Sequence, residues 1–329
     1  MRRHAVLCCA LLLVSSIAAA QGQYAQTADI AIGGPLPAQW DYQLADAAGK
    51  RLYVSHGNAE VVVIDTTTNK VVGRIADTPG VHGIALGAGK VFTSNGRENK
   101  VSMVDRGTLQ TIAKIDSGGA NPDAITFDAK RNEVWVFNHT GMSASQIDAA
   151  SGKVVATIPL SGTAETGQSD GAGRVFVNIE DKDQIDVVDV AAKKVTASWS
   201  VAPGSGPTGM ALDIASHRLF VGAGKAMVMI DTTSGKVVTS VPICSGTDAT
   251  FYDAANKLVF SSCRDGHVTI AKVDGDKMTV VQTLDTAPGS RTMALDASTH
   301  KIYLAAAKPA SSGRGNDPES FHVLVYSLR

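Results

Sequence analysis

The chain has 329 residues, with 30 Lys and Arg against 31 Asp and Glu and a formal net charge of −1 at pH 7. That balance lacks the basic excess that marks binders of nucleic acid or anionic membranes, so neither partner is expected. Charged residues make up only 19% of the chain while Gly reaches 32 residues, as many short strands joined by tight turns require.

In chain order, residues 1–20 read as a secretory signal peptide. Arg2 and Arg3 form a positive start, Val6–Val14 an apolar stretch, and Ala18-Ala19-Ala20 a cleavage site before Gln21. The stretch is too short to span a bilayer, and no later run approaches that length. Cys8 and Cys9 lie inside the apolar stretch and not at the cleavage point, which argues against lipidation. The expected product is residues 21–329, exported, periplasmic or secreted, without membrane insertion. Without Arg2 and Arg3 it carries 28 basic against 31 acidic side chains, a net charge of −3, and its only cysteines are Cys244 and Cys263. An even pair in an oxidising compartment favours a disulfide, two buried thiols being the alternative.

Arg51–Ile75, RLYVSHGNAEVVVIDTTTNKVVGRI, reads as three short strands with two tight turns, and copies return about every forty residues. Seven second-strand segments align: Leu52–Ser55, Val91–Ser94, Val134–Phe137, Val175–Asn178, Leu219–Gly222, Leu258–Ser261 and Ile302–Ala305. All are β-branched or aromatic runs too short for helices. An inner strand precedes each, as in His82–Leu86. A third strand follows, ending on Asp65, Asp105, Asp148, Asp189, Asp231 and Asp274 in six units, and a fourth leads into the next unit. Those aspartates, and the second column Asp46, Asp128, Asp213, Asp253 and Asp296, sit where turns need a carboxylate to accept backbone N–H bonds, so they are assigned to turn chemistry.

The last unit supplies strands at Thr292–Leu295, Ile302–Ala305 and Val323–Leu328; its missing fourth should be Thr27–Ile32 from the other end of the chain. Pairing the two closes the ring and removes an open edge. The expectation is an all-β, seven-bladed β-propeller of four-stranded blades, a single domain and a monomer. Lys308–Ser320, rich in Ser, Gly and Pro, reads as a mobile surface loop.

Tyr53-Val54-Ser55-His56 and Phe92-Thr93-Ser94-Asn95, each followed by a V-x-V-I-D-T-like pattern, resemble the YVTN repeat of YncE-like β-propellers. The resemblance covers essentially all of residues 21–329 and departs at Ile179 and Ala223. It implies the propeller fold and export. It implies no single activity, since related propellers include surface-layer proteins and redox or lactone-cleaving enzymes.

The repeat register places the start of strand one and the end of strand two at the same end of every blade. The first column is Asp41, His82, Asp123, Thr166, Thr208, Asp248 and Arg291; the strand-two exits add His56, Asn95, Asn138, His139 and Ser262. Because inner strands surround the axis, the first column should form a polar collar at the channel mouth. Three readings of it compete. Asp41, His56, His82, Asn95, Asp123, His139, Thr208, Asp248 and Arg291 would bind a small molecule, peptide or partner protein, with no cofactor. Alternatively a divalent metal held by His82, Asp123 and His56 or His139, with Asp41 or Glu165 as base, would support a lyase or lactonase. The third reading has the same residues merely satisfy loop N–H groups and solvate the channel. Whether the chain is an enzyme stays open.

No C-x-x-C-H, phosphate-binding loop or G-x-S-x-G elbow occurs, which disfavours covalent haem, nucleotide and hydrolase-elbow chemistry. Trp135 and Trp199 read as blade-packing anchors, whereas Trp40, beside Asp41, is placed to face a ligand. Cys244 and Cys263 should both emerge on the collar face, pinning the loop that carries Asp248.

Overall fold

The computed structural model describes residues 22–329; the leader read over residues 1–20 lies outside the described residues. Seven four-stranded antiparallel sheets are arranged as blades. Blade one runs Gln43–Asp46, Arg51–His56, Glu60–Asp65 and Lys70–Ile75, and the inner strands of blades two to seven are Val81–Gly87, Pro122–Asp128, Ala164–Ser169, Pro207–Asp213, Thr247–Asp253 and Met293–Asp296. Among the described residues the helical content is two one-turn 3-10 segments, Glu180–Lys182 and Pro318–Ser320.

The middle strands are apolar on successive residues because both faces are covered. Leu52 and Val54 pack toward blade seven with Tyr303 and Val323, while Tyr53 packs toward blade two with Ile84 and Val91. Seven such clusters fill the seven blade interfaces. A fully buried side chain of this size stabilises by about 1.5–3 kcal/mol. The fourth strands face water and carry the exposed apolar residues Val72 and Ile112. Near the axis the inner strands approach closely. A Cβ on Gly83 would lie 2.8 Å from the Asp123 carbonyl oxygen, and one on Gly209 would lie 2.5 Å from the Thr250 nitrogen.

Both aspartate columns close turns. Asp65 Oδ1 accepts the N–H groups of Thr67 and Thr68 at 2.8 and 2.9 Å, and Asp128 Oδ1 accepts those of Lys130 and Arg131 at 3.0 Å each. Asp105, Asp148, Asp189, Asp231, Asp46, Asp213, Asp253 and Asp296 do the same. Asp274 instead ends a two-residue hairpin through Gly275.

The ring closes as the alternation requires. Tyr24–Ala31 pairs antiparallel with His322–Leu328, from Tyr24↔Leu328 to Ala31↔His322. The strand starts three residues earlier than its alternation suggested because Tyr24 is itself buried, edge-on against Phe260 at 5.2 Å. Cys244 and Cys263 form a disulfide with Cα atoms 5.8 Å apart. Across 19 residues the chain-entropy model assigns such a bridge about 3 kcal/mol.

Lys308–Ser320 carries structure of its own. Pro309 and Asn316 form a β-bridge, and Asn316 Nδ2 donates to the Ala38 carbonyl at 2.9 Å. Phe321, at its end, is buried and stacks on both Trp40 and His56. Trp40 is therefore mostly covered, at 7% exposure, and packs on Phe321.

Candidate functional site

The collar is built from irregular backbone. In blades two to six the ladder between strands one and two slips by one residue near its start, at His82-Gly83, Asp123-Ala124, Glu165-Thr166, Thr208 and Asp248. A β-bulge leaves its extra residue unpaired and re-aims the side chain, so these residues turn toward the axis. Asp41 and Arg291 precede the inner strands of blades one and seven.

Strand-two hydroxyls and amides hold this backbone. Ser55 Oγ accepts the Asp41 N–H at 2.7 Å, and Ser94 Oγ accepts that of Gly83 at 2.8 Å while donating to the Asp123 carbonyl of the next blade. Asn178 Nδ2 donates to the Thr208 carbonyl at 3.0 Å, and Ser262 Oγ to that of Arg291 at 2.6 Å. Thr208 Oγ1 donates to the Thr247 carbonyl at 2.8 Å and Thr292 Oγ1 to that of Asp41 at 2.7 Å. Each bond to a neighbouring blade fixes one collar position relative to the next.

On one side, His82 Nδ1 lies 2.7 Å from Asp41 Oδ2 and 3.7 Å from Asp123 Oδ1. His139 Nδ1 lies 3.0 Å from Glu165 Oε1, 3.8 Å from Asp123 Oδ2 and 3.0 Å from the Ala164 carbonyl. On the other side Arg291 pairs with Asp248 and stands 3.9 Å from Asp41 Oδ1. A cavity of about 460 Å³ lies between them, with Arg264, Glu180 and Tyr42 in its wall. A second lobe of about 440 Å³ reaches toward Trp40 and His82 and shares Asp41, Arg264 and Arg291.

Tyr42 lines both the first lobe and the channel beneath it, a further cavity of about 300 Å³. Its hydroxyl crosses from blade one to blade four, 3.4 Å from both Glu165 Oε2 and Thr166 Oγ1. Burial pushes this phenol well above its ordinary value, the surrounding carboxylates adding to the shift, so it stays a neutral donor.

Burial, then the charges of Asp41 and Glu165, push the Asp123 carboxyl well above the usual carboxylate range. Burial pushes Asp248 up to about 7 although Arg291 opposes it. The Glu165 hydrogen bond lifts His139 to about 9. Burial works against the charged form of His82, but the Asp41 hydrogen bond and the Asp123 charge outweigh it and raise the imidazole. Protons are thus shared between imidazoles and carboxylates at positions where a cation or a ligand group can replace them.

Asp41, His82, Asp123, Thr208, Asp248 and Arg291 share the collar, and His139 joins them. His56 and Asn95 do not. His56 is buried, stacked on Phe321 with ring centroids 4.3 Å apart, and its Nδ1 lies 2.9 Å from Glu60 Oε1. Asn95 is buried and donates to Glu98 and Ser102. Both occupy the last strand-two position, which in every blade turns into the wall: Asn138, Ile179, Ala223, Cys263 and Ala306 are equally buried. One residue later the period-two alternation reverses the direction. That next column holds His139, Glu180 and Arg264. Glu180 and Arg264 escaped the sequence reading, as did Tyr42, and reading the column one residue further would have found the first two.

Residues 97–310 match the family model described as outer membrane protein assembly factor BamB. Two curated relatives described as uncharacterized protein YncE are 22% identical (Salmonella typhimurium) and 21% identical (Salmonella typhi) over 262 residues. Each match covers 75% of this chain, and the chain spans 63% of the length of either relative. Among solved structures, a chain of Kuenenia stuttgartiensis hydrazine synthase superposes with a TM-score of 0.74 at 18% identity, covering 91% of this chain and 98% of that one. The RRP9 WD40 repeats superpose with a TM-score of 0.78 at 9% identity, covering 94% and 99%. At such identities the superpositions speak for the fold alone.

Proposed function

The chain belongs to the family described as outer membrane protein assembly factor BamB, and on that footing we propose that it is an exported propeller whose collar binds a small molecule carrying an anionic group. Export is supported by the Cys244–Cys263 disulfide, which suits an oxidising compartment. The observation that carries the binding reading is Arg264. It lines both lobes of the collar and forms no ion pair among the described residues. Opposite it stand Asp123 and Glu165, so a ligand's anionic end belongs at Arg264 and Arg291 and any cationic end at the carboxylates.

A thermal-shift screen of carboxylates, phosphates, amino acids and dipeptides tests this, run on the wild-type protein and Arg264→Ala. At a ligand concentration of 100 times Kd, binding adds about 2.7 kcal/mol of apparent stability. At least one anionic class should raise the wild-type melting temperature and lose most of that effect in Arg264→Ala, the unliganded proteins melting together. A flat screen, or equal shifts in both proteins, would remove the binding reading. A metal-assisted lyase or lactonase at the same face is the second reading, favoured by the convergence of His82 and His139 on carboxylates.

A further inference from the structure

We infer that the acidic half of the collar is a two-metal site in which the Asp123 carboxylate bridges two divalent cations, one on His82 and Asp41, the other on His139 and Glu165. Asp123 offers a different oxygen to each imidazole, Oδ1 at 3.7 Å from His82 Nδ1 and Oδ2 at 3.8 Å from His139 Nδ1. The same Nδ1 of each imidazole also meets a second carboxylate, Asp41 at 2.7 Å and Glu165 at 3.0 Å. In both triads the three ligand atoms lie within 4.8 Å of one another. Two half-sites of the same composition therefore share one residue.

The spacing suits ions. Metal–nitrogen and metal–oxygen bonds of about 2.0–2.2 Å place neighbouring ligands about 3 Å apart, and the observed 2.7–3.8 Å brackets that value. A purely structural salt-bridge network would satisfy its central member. Here Asp123 Oδ1 is shut off from water without a hydrogen-bond partner, and leaving such an atom unsatisfied carries a free-energy cost. A cation on that oxygen removes the cost.

Mixed imidazole and carboxylate donors suit Zn²⁺ or Mn²⁺. Three carboxylates under two dications leave one positive charge, and each ion would keep open positions on the side of the cavity that Arg264 lines. This deepens the binding reading and rests on it only for the ligand: an anion would lie between the metal pair and the arginines.

The test uses the full chain, stripped with chelator and titrated with Zn²⁺ and with Mn²⁺ by calorimetry, with metal analysis after equilibrium dialysis. Two equivalents should bind. His82→Asn and His139→Asn should each bind one, Asp123→Asn should weaken both by roughly tenfold or more, and the surface control His267→Asn should still bind two. Mn²⁺ at both sites, about 4 Å apart, should give the electron-paramagnetic spectrum of a coupled pair. A stoichiometry of one or none, loss in the His267→Asn control, or isolated-ion spectra at full loading would each overturn the inference. Should Asp123→Asn fail to fold, the two His variants and the spectrum still decide. An anion response that persists in stripped protein and disappears in Arg264→Ala would leave the binding reading standing without the metals. Two bound metals with no anion response would do the reverse.

Discussion

Gly209 shows how the collar is constrained one residue at a time. It follows the bulged Thr208, and a Cβ there would sit 2.5 Å from the Thr250 backbone nitrogen of the next blade. A backbone atom in a packed ring cannot swing aside as a flexible side chain can. Gly209→Ala should therefore cost about 1–3 kcal/mol, read as a lower urea midpoint at unchanged slope; a midpoint equal to wild type would mean that the inner strands are looser than described. The same scale explains what could be read from sequence. Asp41, His82, Asp123 and Asp248 were legible because one repeat column carries them all to the axis. His56 and Asn95 were misplaced by a single position, and in a strand one position reverses the direction of the side chain. Ser94 gave no signal, because its second partner, the Asp123 carbonyl, belongs to another blade.

Strands and turns were legible for a different reason: each is specified locally. The third-strand aspartates fall at the ends of Glu60–Asp65, Lys100–Asp105, Ser143–Asp148 and Ala226–Asp231, where the following turn supplies N–H donors. Those bonds lower all four carboxyls, Asp65 to about 2. A depressed folded-state value means that the stabilisation is complete above the unfolded value near 3.8 and disappears as pH falls toward about 2. The melting temperature should accordingly drop between about pH 4 and pH 2. Asp65→Asn, which keeps an acceptor oxygen but does not titrate, should flatten that drop while melting near wild type at low pH. Calorimetry across the range checks it, and an unchanged slope would show that the turn carboxylates are not linked to folding. The bulges, by contrast, were invisible in sequence. A bulge exists only as a mismatch between two strands, and neither His82-Gly83 nor its partner Ser94 announces it alone.

Blade number followed from counting repeats, but closure is a property of the ring. Blade seven borrows Tyr24–Ala31, and that strand covers the edge of His322–Leu328 while burying Tyr24 and Ile30. Removing residues 24–31 should leave a row of unpaired N–H and C=O groups beside exposed apolar surface, the arrangement that recruits other strands. The expected result is a lower melting temperature and concentration-dependent association in light scattering. Adding a synthetic peptide of residues 24–31 should reverse both, because the pairing needs no covalent connection. A shortened chain that stays monomeric and melts like the full one would mean that the ring closes by other contacts. The collar should respond as well. Thr292 of blade seven holds the Asp41 carbonyl of blade one at 2.7 Å, so an opened ring separates Asp41 from Arg291 and loosens its approach to His82. The collar is thus a consequence of closure: no single blade owns it, and it is formed only when the first blade meets the last.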